Sequence, residues 1–113
     1  MTPDELRGHD WFPAQDILGG VPALYATENT KPEDTIIHLH YFVGACDWWI
    51  AELDADRRIA FGYANLGDPN GAEWGYTDLH ELRALLVRPQ GIARWVERDL
   101  SWTPRPFAQV VAR

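Results

Sequence analysis

The chain is poor in the groups that staple a fold or hold metals and phosphates. Among its 113 residues there is one cysteine, Cys46. No internal disulfide can form, and a reducing compartment is the expected setting. CxxC and HExxH are absent. The loop Gly67-Asp68-Pro69-Asn70-Gly71 lacks the lysine and the strand–loop–helix order of a phosphate cradle. No apolar run approaches the roughly 20 residues of a membrane span. The opening MTPDELRGHD lacks the basic-then-apolar order of a signal peptide. These absences give the expectation of a cytoplasmic protein with no membrane partner. There are no repeats and no low-complexity segment, so the chain reads as one domain, long enough to bury roughly two-thirds of its unfolded surface.

Tryptophan, by contrast, is abundant. Trp11, Trp48, Trp49, Trp74, Trp95 and Trp102 are too many large rings for one small core. Each has an apolar body and one N–H, a combination favoured at half-buried interfaces. The net charge is −7 and is unevenly placed. Residues 1–87 carry 5 basic and 15 acidic side chains, net −10; residues 88–113 carry 5 arginines against Glu97 and Asp99, net +3. An acidic chain is a poor nonspecific ligand for nucleic acid.

Along the chain, residues 1–20 read as a short helical segment. Thr2 is its expected N-cap, Pro3 and Glu5 complete the start, and a second turn covers Ala14–Leu18. Val21–Tyr25 looks extended, and Glu28–Asp34 looks like a polar loop. Branched and aromatic residues over Ile36–Val43, Trp48–Leu53 and Ile59–Ala64 predict a three-strand antiparallel meander, with Glu73–Thr77 as a fourth strand. The sheet thus spans residues 35–77. Phe61-Gly62-Tyr63 and Trp74-Gly75-Tyr76 form similar arms of one hairpin. Asp78 caps a helix over residues 78–88, whose stripe is Leu79, Leu82 and Leu86 and whose end is Pro89 or Gly91. Residues 94–113 form a basic tail with a strand at Arg94–Leu100, a proline-rich stretch, and a last turn at Phe107–Val111. The fold class is α+β: an antiparallel sheet of four to five strands, one main helix on one face, and short terminal helices.

Alternation then sorts the side chains by face. A register pairing Phe42 with Asp47 and Leu53 with Ile59 puts Ile37, Leu39, Tyr41, Trp48, Ile50, Ala60, Gly62 and Ala64 together under the helix. The other face collects Ile36, His38, His40, Phe42, Trp49, Phe61 and Tyr63. It is too apolar to lie fully wet. Either the terminal segments fold over it, or part stays open as a binding surface made by Trp49, His38, His40, Phe61 and Tyr63.

Candidate chemistry is sparse. His38-x-His40 points two imidazoles to one side, but a zinc site needs three or four ligands. His80, Cys46 and Asp47 are the only further donors to consider, and no spacing gathers them, so neither metal nor cofactor is expected. Cys46 beside Asp47 is a poor nucleophile, since a neighbouring carboxylate raises a thiol pKa. Glu52, Asp54, Asp56, Glu73 and Asp78 contain no opposed pair and read as solvated strand ends and helix caps. Arg94, Trp95, Arg98, Trp102 and Arg105 interleave guanidinium and aromatic groups, the chemistry that stacks single-stranded bases.

Val21-Pro22-Ala23-Leu24-Tyr25-Ala26-Thr27-Glu28 resembles the "PPLYSTE" opening of a small bacterial family of unknown function, DUF2958. WWIAELD at Trp48–Asp54, Phe61-Gly62-Tyr63, Leu79-His80-Glu81-Leu82, Val96–Leu100 (VERDL) and Pro104-Arg105-Pro106-Phe107 are similar to that family's later motifs in the same order. The resemblance covers residues 21–111. It implies a compact α+β domain, typically carried by plasmids, integrative elements or phages, and brings no established activity or catalytic residues. Met1–Gly20 is longer than the family pattern, and Trp95 stands as an insertion.

The leading expectation is therefore a non-catalytic protein that binds another protein or itself, an accessory or inhibitor from a mobile element or phage. Imitation of DNA charge is a lesser version of it. The alternatives are a single-strand binding module using the basic tail, and a small metal- or cysteine-dependent enzyme.

Overall fold

The computed structural model describes residues 3–111; the expected cap Thr2 lies outside them. Helix α1 (Pro3–Arg7) and the single turn α2 (Gln15–Leu18) open the chain. Strand β1 (Ile36–Ile37) and strand β2 (Leu39–Val43) follow, separated only by His38. Then come β3 (Cys46–Leu53), β4 (Ile59–Leu66) and β5 (Glu73–Asp78), each antiparallel to the one before. This is the meander and long hairpin read from the sequence.

Helix α3 (Leu79–Ala84) begins as expected. The Asp78 carboxylate accepts from the amides of His80 at 2.9 Å and Glu81 at 3.2 Å, satisfying two donors that a helix start leaves open. The helix ends at Ala84, short of the expected residue 88, because Leu86 and Val87 leave it to form β6 (Leu86–Val87). That strand pairs with β7 (Arg94–Trp95). A six-residue helix holds few internal hydrogen bonds, so strand pairing outcompetes its extension. Leu79 and Leu82 are buried and Leu86 is exposed. The strand expected over Arg94–Leu100 is likewise split. Buried Val96 separates β7 from β8 (Glu97–Arg98), which joins the outer side of β2. The resulting sheet has five strands in the order β5-β4-β3-β2-β8. Strand β9 (Arg105–Pro106) pairs with β1, and α4 (Phe107–Val111) closes the chain.

The register confirms Phe42 opposite Asp47 but sets Leu53 opposite Ala60, one residue from the expected Ile59. The slip comes from a bulge between Ile50 and Glu52, where Ala51 is the extra residue. Past it, parity inverts. Ala51 joins Ile37 on the far face, and Ile37 leaves Leu39 and Tyr41 because the chain breaks step at His38.

Two clusters result. The larger joins Leu39, Tyr41, Val43, Trp48, Ile50, Leu53 and Ala60 to Leu79, Leu82 and Val96, and to Trp11 and Leu18 from the amino-terminal segment. Trp11 anchors it: its ring lies 4.3 Å from that of Tyr41, whose hydroxyl donates to the Trp11 carbonyl at 2.8 Å. The smaller cluster lies on the opposite face and joins Ile37, Ala51, Phe107 and Val110, with Trp49, Tyr63, Trp74 and Trp102 packed around them. The carboxy-terminal segment thus covers the second face, while the amino-terminal one packs on the first. Trp11 and Trp48 are buried and the other four tryptophans are half-buried, which accounts for six indoles in a chain of this size.

Candidate functional site

Alternation gathers Trp49, His38, His40, Phe61 and Tyr63, and ring contacts run from His40 through Trp49 and Tyr63 to Trp74 and Phe61. His40 is buried, and both ring nitrogens are engaged: Nε2 lies 2.7 Å from Asp47 Oδ1 and Nδ1 lies 2.9 Å from Asp99 Oδ2. With a carboxylate oxygen against each nitrogen, neither is open to a metal ion. Trp49 stacks on that ring at 5.4 Å with the planes 7° apart, and Trp102 approaches it at 5.3 Å. His38 is half-buried, and burial holds its pKa below the ordinary histidine value. Tyr63 packs against Phe107 at 4.7 Å. Tyr63 also meets Trp74 at 5.5 Å, and Phe61 carries this aromatic group on to the exposed ring of Tyr76.

That group is built by β4, β5 and one loop. Phe61 stands directly across from Tyr76, with ring centres 5.1 Å apart, and stacks on Trp74 at 5.8 Å. Tyr25 meets Tyr76 edge-on at 6.5 Å. Tyr25 is 62% exposed and Tyr76 56%, whereas Phe61 and Trp74 are half-buried. Beside them opens a recess of about 170 Å³, walled by Phe61, Trp74 and the 27–35 loop, Glu28 and Pro32 among its residues.

The backbone explains why these rings project. Gly62 lies between Phe61 and Tyr63, opposite Ile50, where β4 pairs closely with β3. A Cβ there would fall 1.9 Å from the Trp49 carbonyl oxygen, so only glycine fits. Gly75, paired with it on β5, faces open space. Tyr25 is held by a device that sequence reasoning missed. Val21–Tyr25 is not extended: the chain turns repeatedly from Leu24 to Asn29, and Tyr25 has a φ of 71°. Glu52, expected to be solvated at a strand end, is 2% exposed. It accepts from the amides of Tyr25 and Thr27 at 2.8 Å each and from the Thr27 hydroxyl. Three donors in one carboxylate offset the cost of burying it. No local signal announces this: the bulge pairs Glu52 with Phe61, on the side where the tyrosine loop passes.

The arginine–tryptophan series of the tail does not converge on one surface. Arg98 Nε donates to the Asp10 carbonyl at 3.3 Å, and Trp102 Nε1 donates to the Ile37 carbonyl at 3.0 Å. The Arg105 guanidinium lies over the Trp102 ring at 4.1 Å. Arg94 and Trp95 instead line a separate recess of about 210 Å³ with Arg7, Phe42 and Glu97. Among the described residues, no group of three or more His, Cys, Asp or Glu is placed to hold a metal ion. Burial, and then Asp47, push the half-buried Cys46 thiol above its ordinary pKa. No helix among the described residues is long and apolar enough to cross a membrane.

The family model described as protein of unknown function, DUF2958, matches residues 22–111. The chain belongs to that family. No curated protein and no solved structure matches it. Several stretches that resemble DUF2958 motifs meet around the surface just described. Pro22 opens the tyrosine loop and its carbonyl accepts from the Leu53 amide at 2.9 Å, while Glu52 of the WWIAELD stretch holds the loop. Phe61 supplies a ring, and Phe107 packs on Trp74 at 4.7 Å from the far side of the chain.

Proposed function

We propose that this chain is a non-catalytic binding protein that docks a protein partner through the aromatic surface of Tyr25, Phe61, Trp74 and Tyr76. What carries the reading is one observation: two tyrosines more than half exposed meet two half-buried rings, with Trp74 and Tyr76 on the strand at the edge of the sheet. Rings anchored at one side and wet at the other bring large contact area at low entropic cost. The raised Cys46 thiol supports the same reading, since it disfavours a cysteine nucleophile. A role as accessory or inhibitor of that partner, encoded on a mobile element, fits the setting that the resemblance to DUF2958 implies. The nucleic-acid alternative draws less support because Arg98, Trp102 and Arg105 are committed within the fold.

The test is affinity capture with matched variants. Wild type and an Arg94→Ala control should retain a common protein that Tyr25→Ser/Tyr76→Ser loses at an unchanged melting midpoint. If single-stranded oligonucleotides bind at low salt, and Arg94→Ala removes them while no protein depends on the tyrosines, the proposal fails.

A further inference from the structure

The sheet ends at β5, and the outer side of that strand is unpaired. Among the described residues no strand pairs with that side. The phase of the edge follows from one bond. The Leu79 amide donates to the Arg58 carbonyl at 2.7 Å, so residues at even steps back from Leu79 (Thr77, Gly75 and Glu73) turn their amides inward to β4. Trp74 and Tyr76 turn theirs outward. Exposed strand edges are usually blunted by proline, lysine or a covering loop. Strand β5, EWGYTD, contains neither residue, and Gly75 adds no side chain to it.

Charge narrows the choice of occupant. Glu73 and Glu28 are exposed near this edge, and Tyr76 is close enough to Glu28 and Glu52 for their charges to raise its phenol, after burial and the Tyr25 phenol. Asp78 already has a cation, Arg58, at 2.9 Å. Antiparallel pairing of β5 with a second copy would bring Glu73 close to the partner strand's acidic end and join two chains of net charge −7. The recess beside Trp74 is lined by Phe61, Trp74 and Glu28 among its residues. A long cationic side chain suits those walls: its stem packs on the rings, and its charge meets both the ring faces and the carboxylate.

We propose that β5 accepts an extended basic peptide of the partner as a sixth strand, with a lysine or arginine side chain seated between Phe61, Trp74 and Glu28. This rests on the reading that the aromatic surface docks a protein, and makes the partner's contact a strand rather than a folded face. Backbone pairing along Trp74 and Tyr76 gives affinity, and the recess selects alternate side chains of the added strand.

The test uses short peptides in which threonine alternates with lysine, glutamate or leucine, titrated by NMR with amide exchange read at Trp74 and Tyr76. The lysine peptide is expected to bind roughly tenfold more tightly than the glutamate peptide and to slow exchange at both amides. N-methylation of its paired edge should abolish binding, and Glu28→Gln should narrow the preference for lysine over leucine. Binding without protection of those amides, or without preference for lysine, overturns the inference. So does slow exchange there that depends on protein concentration with no peptide present, since a second copy would then hold the edge. Should a captured protein be lost by Tyr25→Ser/Tyr76→Ser while no peptide binds, this inference falls and the aromatic docking surface stands.

Discussion

Glu52 and Tyr25 are joined across 27 positions by a 2.8 Å hydrogen bond from the tyrosine amide to a carboxylate that is almost wholly buried. The most exposed ring of the surface therefore depends on one of the least exposed acids. Removing the carboxylate leaves two backbone donors unpaired. Glu52→Ala is expected to cost about 2–4 kcal/mol in urea unfolding, with Glu52→Gln milder because one acceptor oxygen remains. Chymotrypsin should also begin to cut after Tyr25 in Glu52→Ala while the rest of the chain stays resistant.

The two hairpin glycines should behave oppositely. A Cβ at Gly62 meets the Trp49 carbonyl, backbone that cannot swing aside, whereas a Cβ at Gly75 meets nothing within 4 Å. Gly62→Ala is expected to destabilise by about 3 kcal/mol or more. Gly75→Ala should stay within about 0.5 kcal/mol of wild type. Equal midpoints for the two variants would refute the close approach of β4 to β3 at Gly62.

His38 gives a pH dependence of definite sign. Burial lowers its pKa in the folded chain from the ordinary 6.5, so on acidification the unfolded chain takes up this proton first. The stability that the neutral ring contributes is complete above the unfolded value and is lost as pH falls through the lower folded value. His38→Gln should flatten the stability–pH profile in that window and leave it unchanged at neutral pH and above. A steeper profile in the variant would contradict the assignment.

Cys46 should be sluggish toward alkylation. Burial raises its thiol pKa and the charge of Asp47 adds to the effect, so the reactive thiolate is scarcer than in a free cysteine at the same pH. Iodoacetamide labelling at mildly alkaline pH is expected to run several-fold slower than for a free thiol peptide. Asp47→Asn should speed it.

The sequence made the sheet legible because its signal is local. Period-two runs and turn residues place β2 to β5, and Asp78 sits where a cap belongs. Chain order and short connections then supply the meander. What stayed hidden depends on single-residue breaks in phase. His38 and Ala51 each shift alternation by one, sending Ile37 to the far face, moving Glu52 to the side of Phe61 and returning Leu53 to the larger cluster. No composition or spacing announces such a bulge. The same limit affects the site. Phe61 could be placed on the aromatic face, but Tyr25 reaches it only through a turn held by a buried acid, and Trp74 and Tyr76 only through the pairing of β4 with β5. His40 looked like one half of a ligand pair because its two carboxylates lie 7 and 59 positions away.

Radical footprinting of tyrosine side chains, with and without a captured protein partner, tests the docking surface most directly. The account predicts that Tyr25 and Tyr76 lose most of their reactivity in the complex while Trp95 keeps its own. Unchanged labelling of both tyrosines, with protection moving to Trp95 and its recess, would contradict it.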